Sequence, residues 1–318
     1  MLTYLALIAG LIVLVFAGDL LVRGAVGLAD RLGIPALIIG LTIVAFGTSA
    51  PELVISMKAA AEDAGGLAIG NVVGSNIANV LLVLGAPSLI FATACYGTGT
   101  RRNALFMVAI TLGFIALASD GLLSRLDAIV MISLLGVFLY DNYRSARRHR
   151  EQAQTALEDE FGDIGTKPPT LLVGFLVAGM IGLPIGANLT IYGATEIARN
   201  WGISDSAIGL TVVAIGTSLP ELMAAIMAAW HRQSAVAIGN VIGSNIFNLL
   251  AIMGTTNLIF PLPVPKELFI PDMWIMLLTS AALLPFIFFR KSITRPIGLI
   301  MIVLYVVYIF SALHPHGA

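Results

Sequence analysis

Charge is scarce in this chain. Of its 318 residues, 11% are Asp, Glu, Lys or Arg and 58% are hydrophobic, whereas a soluble domain carries about 25% charged residues. An ordinary water-soluble protein is thereby excluded. Cysteine is down to one residue, Cys95, so no internal disulfide can form, and a small apolar residue near a helix end needs no other role. The four histidines, His149, His231, His314 and His316, fall in loops or at the end of the chain. None lies at membrane depth to ligate zinc or to activate a serine, which argues against an intramembrane hydrolase. With a net charge of −1 there is no electrostatic footprint for nucleic acid.

Long apolar runs are what the chain has instead. Each approaches the roughly 20 residues that cross about 30 Å of hydrocarbon as a helix. Ten such spans are predicted, near 4–28, 36–60, 66–91, 103–119, 125–143, 170–198, 205–230, 235–260, 272–289 and 295–313. The first, YLALIAGLIVLVFAG, has no basic residue before it and a second span soon after, so it reads as a retained helix rather than a secretory signal. Basic residues accumulate in cytoplasmic loops. With the N-terminus outside, twelve Lys and Arg fall inside and four (Lys58, Arg125, Arg199 and Lys266) outside, leaving Arg23 uncounted within the first span. Both termini are therefore expected outside.

Shifting the sequence by 169 residues superposes Gly47–Asn79 on Gly216–Asn248 with 18 of 33 positions identical. The chain is an internal duplication. Its expected units are 1–143 and 170–318, five spans each, joined by a hydrophilic cytosolic connector, 144–169. An odd number of crossings makes the second unit enter from the opposite side. The predicted fold is thus an all-α membrane protein of ten transmembrane helices in two inverted five-helix repeats, an architecture of secondary transporters, whose sites lie at the repeat interface.

The repeats place FGTSAPEL (from Phe46) and IGTSLPEL (from Ile215) inside apolar spans. Glu52 and Glu221 lie about sixteen residues into their spans, where an ionised side chain costs at least about 2.5–3.5 kcal/mol. No Lys or Arg occurs at comparable depth nearby. The partner is then a bound cation, or a proton on a carboxyl group that desolvation favours in its neutral form. Neighbouring residues favour the cation. Thr48 and Glu52, like Thr217 and Glu221, share a helix face four residues apart. Pro51 and Pro220 lack the N–H that would bond the carbonyls of Gly47 and Gly216. Freed carbonyls beside carboxylates are hard oxygen ligands of the kind Ca²⁺ takes.

The following spans carry GNVVGSNIAN and GNVIGSNIFN, in which Asn71, Ser75 and Asn79, and again Asn240, Ser244 and Asn248, form a polar stripe. Gly70/Gly74 and Gly239/Gly243 are GxxxG faces explained by close helix approach. Asp19 and Arg23 read as a local pair, and Asp127 and Asp205 as residues of helix starts.

GTSAPEL, GNVVGSN, GTSLPEL and GNVIGSN together resemble the alpha repeats of the calcium/cation antiporter superfamily, most closely its prokaryotic sodium/calcium exchangers. The resemblance covers nearly the whole chain. It implies a central site made by the second, third, seventh and eighth helices that holds Ca²⁺ and Na⁺ in alternation. By motif position, Glu52 and Glu221 become shared ligands, with the Thr48 and Thr217 carbonyls beside them. Ser49, Ser75, Ser218 and Ser244, with the carbonyls of Ala45 and Ala214, complete the Na⁺ sites, and Asn79 and Asn248 close the site. Some relatives have Asp at the place of Asn248; its absence leaves two carboxylates rather than three and argues against potassium dependence.

No resident cofactor and no obligatory protein partner are expected, since Ca²⁺ and Na⁺ bind transiently as cargo in a bilayer protein. The resemblance also implies alternating access by sliding of the first and sixth helices and a third Na⁺ per cycle, while the small chain with its short connector suggests a prokaryotic inner membrane. A Ca²⁺/H⁺ antiporter using the same Glu pair, and a passive cation channel, are the competing functions.

Overall fold

In lipid every backbone N–H and C=O must be satisfied within the protein, so long apolar runs become helices. The computed structural model describes residues 2–157, 168–202, 214–265 and 271–313. Among them, seven helices are long and apolar enough to cross a bilayer, or eight if one bent pair counts as a single span. The first half holds α1 (Leu2–Leu32), then α2 (Ala36–Ile39), a π-turn (Gly40–Val44), α3 (Ala45–Thr48) and α4 (Ala50–Ala61). Next come α5 (Gly65–Ala78), a π-turn (Asn79–Val83), α6 (Gly85–Ile90), β1 (Thr93–Ala94), α7 (Thr100–Leu117), β2 (Leu122–Leu123) and α8 (Arg125–Leu157).

The second half repeats the order. It runs α9 (Pro169–Asn200), α10 (Ala214–Thr217), α11 (Leu219–Trp230), α12 (Ser234–Phe247), a π-turn (Asn248–Ile252), α13 (Met253–Ile259) and β3 (Leu262–Pro263). It ends with α14 (Asp272–Ala282), α15 (Leu284–Phe288), β4 (Ser292–Ile293) and α16 (Arg295–Leu313). The expected span near 205–230 is seen as α10 and α11, while 203–213, including Asp205, lies outside the described residues. The span near 272–289 is a shorter apolar helix. The α8 helix continues past residue 143, so the expected edge of the connector falls inside a helix.

The long helices α1 and α9 pack along much of their lengths because glycine lets their backbones meet. A Cβ on Gly24 would stand 2.7 Å from Leu176 N, and one on Gly193 2.6 Å from Leu7 N. Likewise Gly10 faces Gly186 and Thr190, while Gly179 faces Ala17 and Leu21. Each contact is its counterpart moved by 169 residues. Two short antiparallel pairings, β1 with β4 and β2 with β3, each join one strand from either half.

Single side chains follow local rules. Ser124 and Asp127 cap α8 reciprocally, with Ser124 N donating to Asp127 Oδ2 at 2.8 Å and Asp127 N to Ser124 Oγ at 3.3 Å. Asp19 pairs with Arg23 at 2.9 Å as expected, and also meets His231 Nε2 at 2.6 Å at the end of α11. Cys95 is fully buried beside β1, and burial pushes its thiol up to about 12, so it stays protonated and unreactive.

Candidate ion-binding site

The bend that creates the site lies at Ser49. The helix stops at Thr48, Ser49 sits at φ −84° and ψ 4°, and α4 restarts with Pro51 in its first turn, 44° away in direction. In the second half Ser218 has the same geometry, φ −86° and ψ 3°, with Pro220 in the first turn of α11. Proline suits a first turn because its missing N–H would be unpaired there. Glu52 and Glu221 thus stand in the first turns of α4 and α11, where the positive helix end favours a carboxylate. Both are 1% exposed.

The two halves interlock through polar side chains. Ser49 Oγ donates to Glu221 Oε1 at 3.0 Å, and Thr48 Oγ1 donates to Asn240 Oδ1 at 3.2 Å and lies 3.5 Å from Ser244 Oγ. Asn71 Nδ2 reaches the Glu52 main-chain carbonyl at 3.3 Å, and Asn240 Nδ2 that of Glu221 at 3.5 Å. Asn79 Nδ2 donates to Asn245 Oδ1 at 3.0 Å, and Asn248 Nδ2 to Asn76 Oδ1 at 2.9 Å. Thr217, Ser218 and Ser75 are buried, and Ala45 is buried at the start of α3. Ala214 opens α10.

Several of these atoms are left without a donor. Glu52 Oε2, Glu221 Oε2, Asn79 Oδ1 and Asn248 Oδ1 are buried and accept no hydrogen bond, and Ser218 Oγ is also unpartnered. Leaving such a group unsatisfied costs about 1–3 kcal/mol, and more if it is charged. The two amide oxygens can only accept, and so can the carboxylate oxygens while ionised, so what is missing is a donor or a positive charge. All are hard oxygens, the donor set of Ca²⁺ rather than of zinc. Among the described residues no group of three or more His, Cys, Asp or Glu gathers anywhere. Two carboxylates with amide and hydroxyl oxygens are the available set.

Asn76 and Asn245, both fully buried, escaped the sequence reading. The signal was there, since both recur at the 169-residue offset within GSN. The π-turns that begin at Asn79 and Asn248 were also unforeseen; such turns interrupt helices frequently at functional sites. In the second half the GxxxG face of α12 packs as expected, with a Cβ on Gly239 falling 2.7 Å from Leu37 O. An open pocket of about 350 Å³ at the far end of α1, lined by Arg23, Asp30 and His231 among others, contains neither glutamate.

Buried carboxyl and amide oxygens without partners, set where the two halves of a helical membrane protein meet, define a cation-binding membrane protein. More specifically, the chain belongs to the sodium/calcium exchanger protein family, which matches residues 2–143 and 171–313. It is 36% identical over 276 residues to inner membrane protein YrbG of Escherichia coli, covering 86% of this chain and 85% of that one. To the sodium/calcium exchanger MaX1 of Methanosarcina acetivorans it is 32% identical, covering 96% and 97%. The solved sodium-calcium exchanger NCX_Mj, soaked with Na⁺ and Sr²⁺, superposes with a TM-score of 0.84 at 30% identity over 98% of each chain.

Proposed function

We propose that the chain exchanges Na⁺ for Ca²⁺ across a membrane by alternating access, with Glu52 and Glu221 as the ligands common to both ions. One observation carries this reading: among the buried polar atoms without a partner are Oε2 of both glutamates and Oδ1 of Asn79 and Asn248, four motif oxygens at matched positions of the two halves. The carbonyls of Thr48 and Thr217 complete the Ca²⁺ set. Ser49, Ser75, Ser218 and Ser244 with the Ala45 and Ala214 carbonyls serve Na⁺. The relatives named above as sodium/calcium exchangers support the choice of ions.

The architecture belonging to this proposal is ten spans in two inverted five-helix repeats, 1–143 and 170–318, with 144–169 as a cytosolic connector and both termini outside. The strand pairings support it. Ten alternating crossings put the loops of β1 and β4 on the inner side and those of β2 and β3 on the outer, so each pair meets on one side. The glycine contacts that recur between α1 and α9 support a twofold relation between the halves.

The test is calcium uptake into reconstituted vesicles loaded with Na⁺ and diluted into Na⁺-free medium containing radiolabelled Ca²⁺. Na⁺-dependent uptake that Glu52→Gln or Glu221→Gln abolishes is the expected result. Uptake driven by a pH gradient alone makes the protein a Ca²⁺/H⁺ antiporter, and flux without coupling makes it a channel.

A further inference from the structure

We infer that Asn76 and Asn245 are positioning residues that turn the amide oxygens of Asn79 and Asn248 toward the ion. This deepens the ion-site reading and rests on it. A carboxamide has an accepting end and a donating end of nearly equal size. Beside a cation, an asparagine is a ligand in one orientation and repels in the other, so something must decide which way it faces.

The structure supplies that decision through a fixed sequence of contacts. Asn76 Nδ2 lies 3.4 Å from the Asn245 main-chain oxygen, and Asn245 Nδ2 lies 3.3 Å from that of Asn76. A main-chain carbonyl can only accept, so the nitrogen of each side chain must occupy that position. Asn76 Nδ2 also faces Met276 Sδ at 3.5 Å, a weak acceptor compatible only with the donating end. The oxygens of Asn76 and Asn245 therefore point the other way. There they accept from Asn248 Nδ2 at 2.9 Å and Asn79 Nδ2 at 3.0 Å.

With their nitrogens so held, Asn248 and Asn79 present their oxygens on the opposite side, and those two oxygens are buried without a donor. All four asparagines are at most 1% exposed, so water does not compete for the orientation. The device is built twice and crossed: the first half's Asn76 orients the second half's Asn248, and Asn245 orients Asn79. An apolar side chain in place of Asn76 leaves Asn248 free to turn its NH₂ toward the cation.

A cycle of full-length variants in vesicles tests this. Asn76→Leu is expected to raise the half-saturating Ca²⁺ concentration about tenfold, the equivalent of about 1.4 kcal/mol, with turnover at saturating Ca²⁺ far less affected. An aspartate at 248 has no donating end, so orientation no longer matters. Asn76 Oδ1 then faces a carboxylate oxygen, so in the Asn248→Asp background adding Asn76→Leu removes a repulsion and should leave half-saturation unchanged or lower. Asn245→Leu read against Asn79→Asp repeats the cycle from the other half.

Equal losses in both backgrounds make the effect merely structural and overturn the proposal, as does an unchanged half-saturation in Asn76→Leu. Failure of both Leu variants to yield monodisperse protein, with or without the aspartate, assigns the pair to folding and also overturns it. The ion-site reading is judged separately. Loss of exchange in Glu52→Gln with an additive cycle keeps the ion site and removes the positioning role, whereas intact exchange in Glu52→Gln removes both.

Discussion

At the scale of single residues the two copies of the motif are equivalent in sequence but not in contact. Ser49 donates to Glu221, while Ser218, its counterpart, has an unpartnered hydroxyl and leaves Glu52 Oε2 bare. A hydrogen bond to a charged group is worth about 1.5–3 kcal/mol, and about 1.4 kcal/mol is tenfold in affinity. Ser49→Ala should accordingly weaken Ca²⁺ half-saturation by about tenfold, and Ser218→Ala by clearly less, in vesicle uptake at matched Na⁺. Equal losses would mean that the asymmetry does not persist when the ion is bound. The glutamates and the polar stripe were legible in the sequence because burial of charge is costly enough to demand a partner, and repetition removes coincidence. Asn76 is marked only by its repetition at Asn245, because it follows Ser75 by one residue and so leaves the four-residue stripe. Its role exists only where the second half crosses the first.

Elements show the same division between what a chain announces and what packing decides. Apolar length predicted the seven or eight spans seen among the described residues, and the Pro-Glu motifs predicted interruption, since proline cannot continue the hydrogen-bond ladder. The union of α1 with α9 was not legible: its glycines are spread along two helices far apart in sequence, and small residues matter only once a partner backbone approaches. Gly193→Val forces a Cβ to within 2.6 Å of Leu7 N, which must move. A clearly lowered melting temperature in detergent is expected for that variant, whereas substitution at Gly202, where no neighbour lies within 4 Å but φ is +81°, acts through local strain alone. Where α1 crosses α11, a Cβ on Gly18 would lie 3.0 Å from Met223 Cγ. A cysteine pair, Gly18→Cys with Met223→Cys, is therefore within disulfide reach. If α1 slides across the core during transport, oxidation of this pair should stop exchange and reduction restore it. Exchange that survives complete oxidation would rule that motion out.

For the molecule as a whole, charge decides how transport answers to voltage. Two ionised glutamates give the site −2, which one Ca²⁺ or two Na⁺ cancel, whereas three Na⁺ leave the loaded site at +1. Each turnover of three Na⁺ against one Ca²⁺ carries one net charge across the membrane, whatever the fixed charge of the site. A membrane potential acts on such a charge with about 2.3 kcal/mol per 100 mV, equivalent to roughly fiftyfold in an equilibrium ratio at about 1.4 kcal/mol per decade. Vesicles holding equal Na⁺ on both sides, clamped by a potassium gradient and ionophore, should therefore accumulate Ca²⁺ when the interior is positive and release it when the interior is negative. In the two-Na⁺ cycle the same potentials leave the Ca²⁺ distribution unmoved, because loaded states of equal charge give the field nothing to act on. The distribution of Ca²⁺ at a series of fixed potentials thus measures the stoichiometry directly, and a slope of zero would show that two sodium ions balance the pair of glutamates.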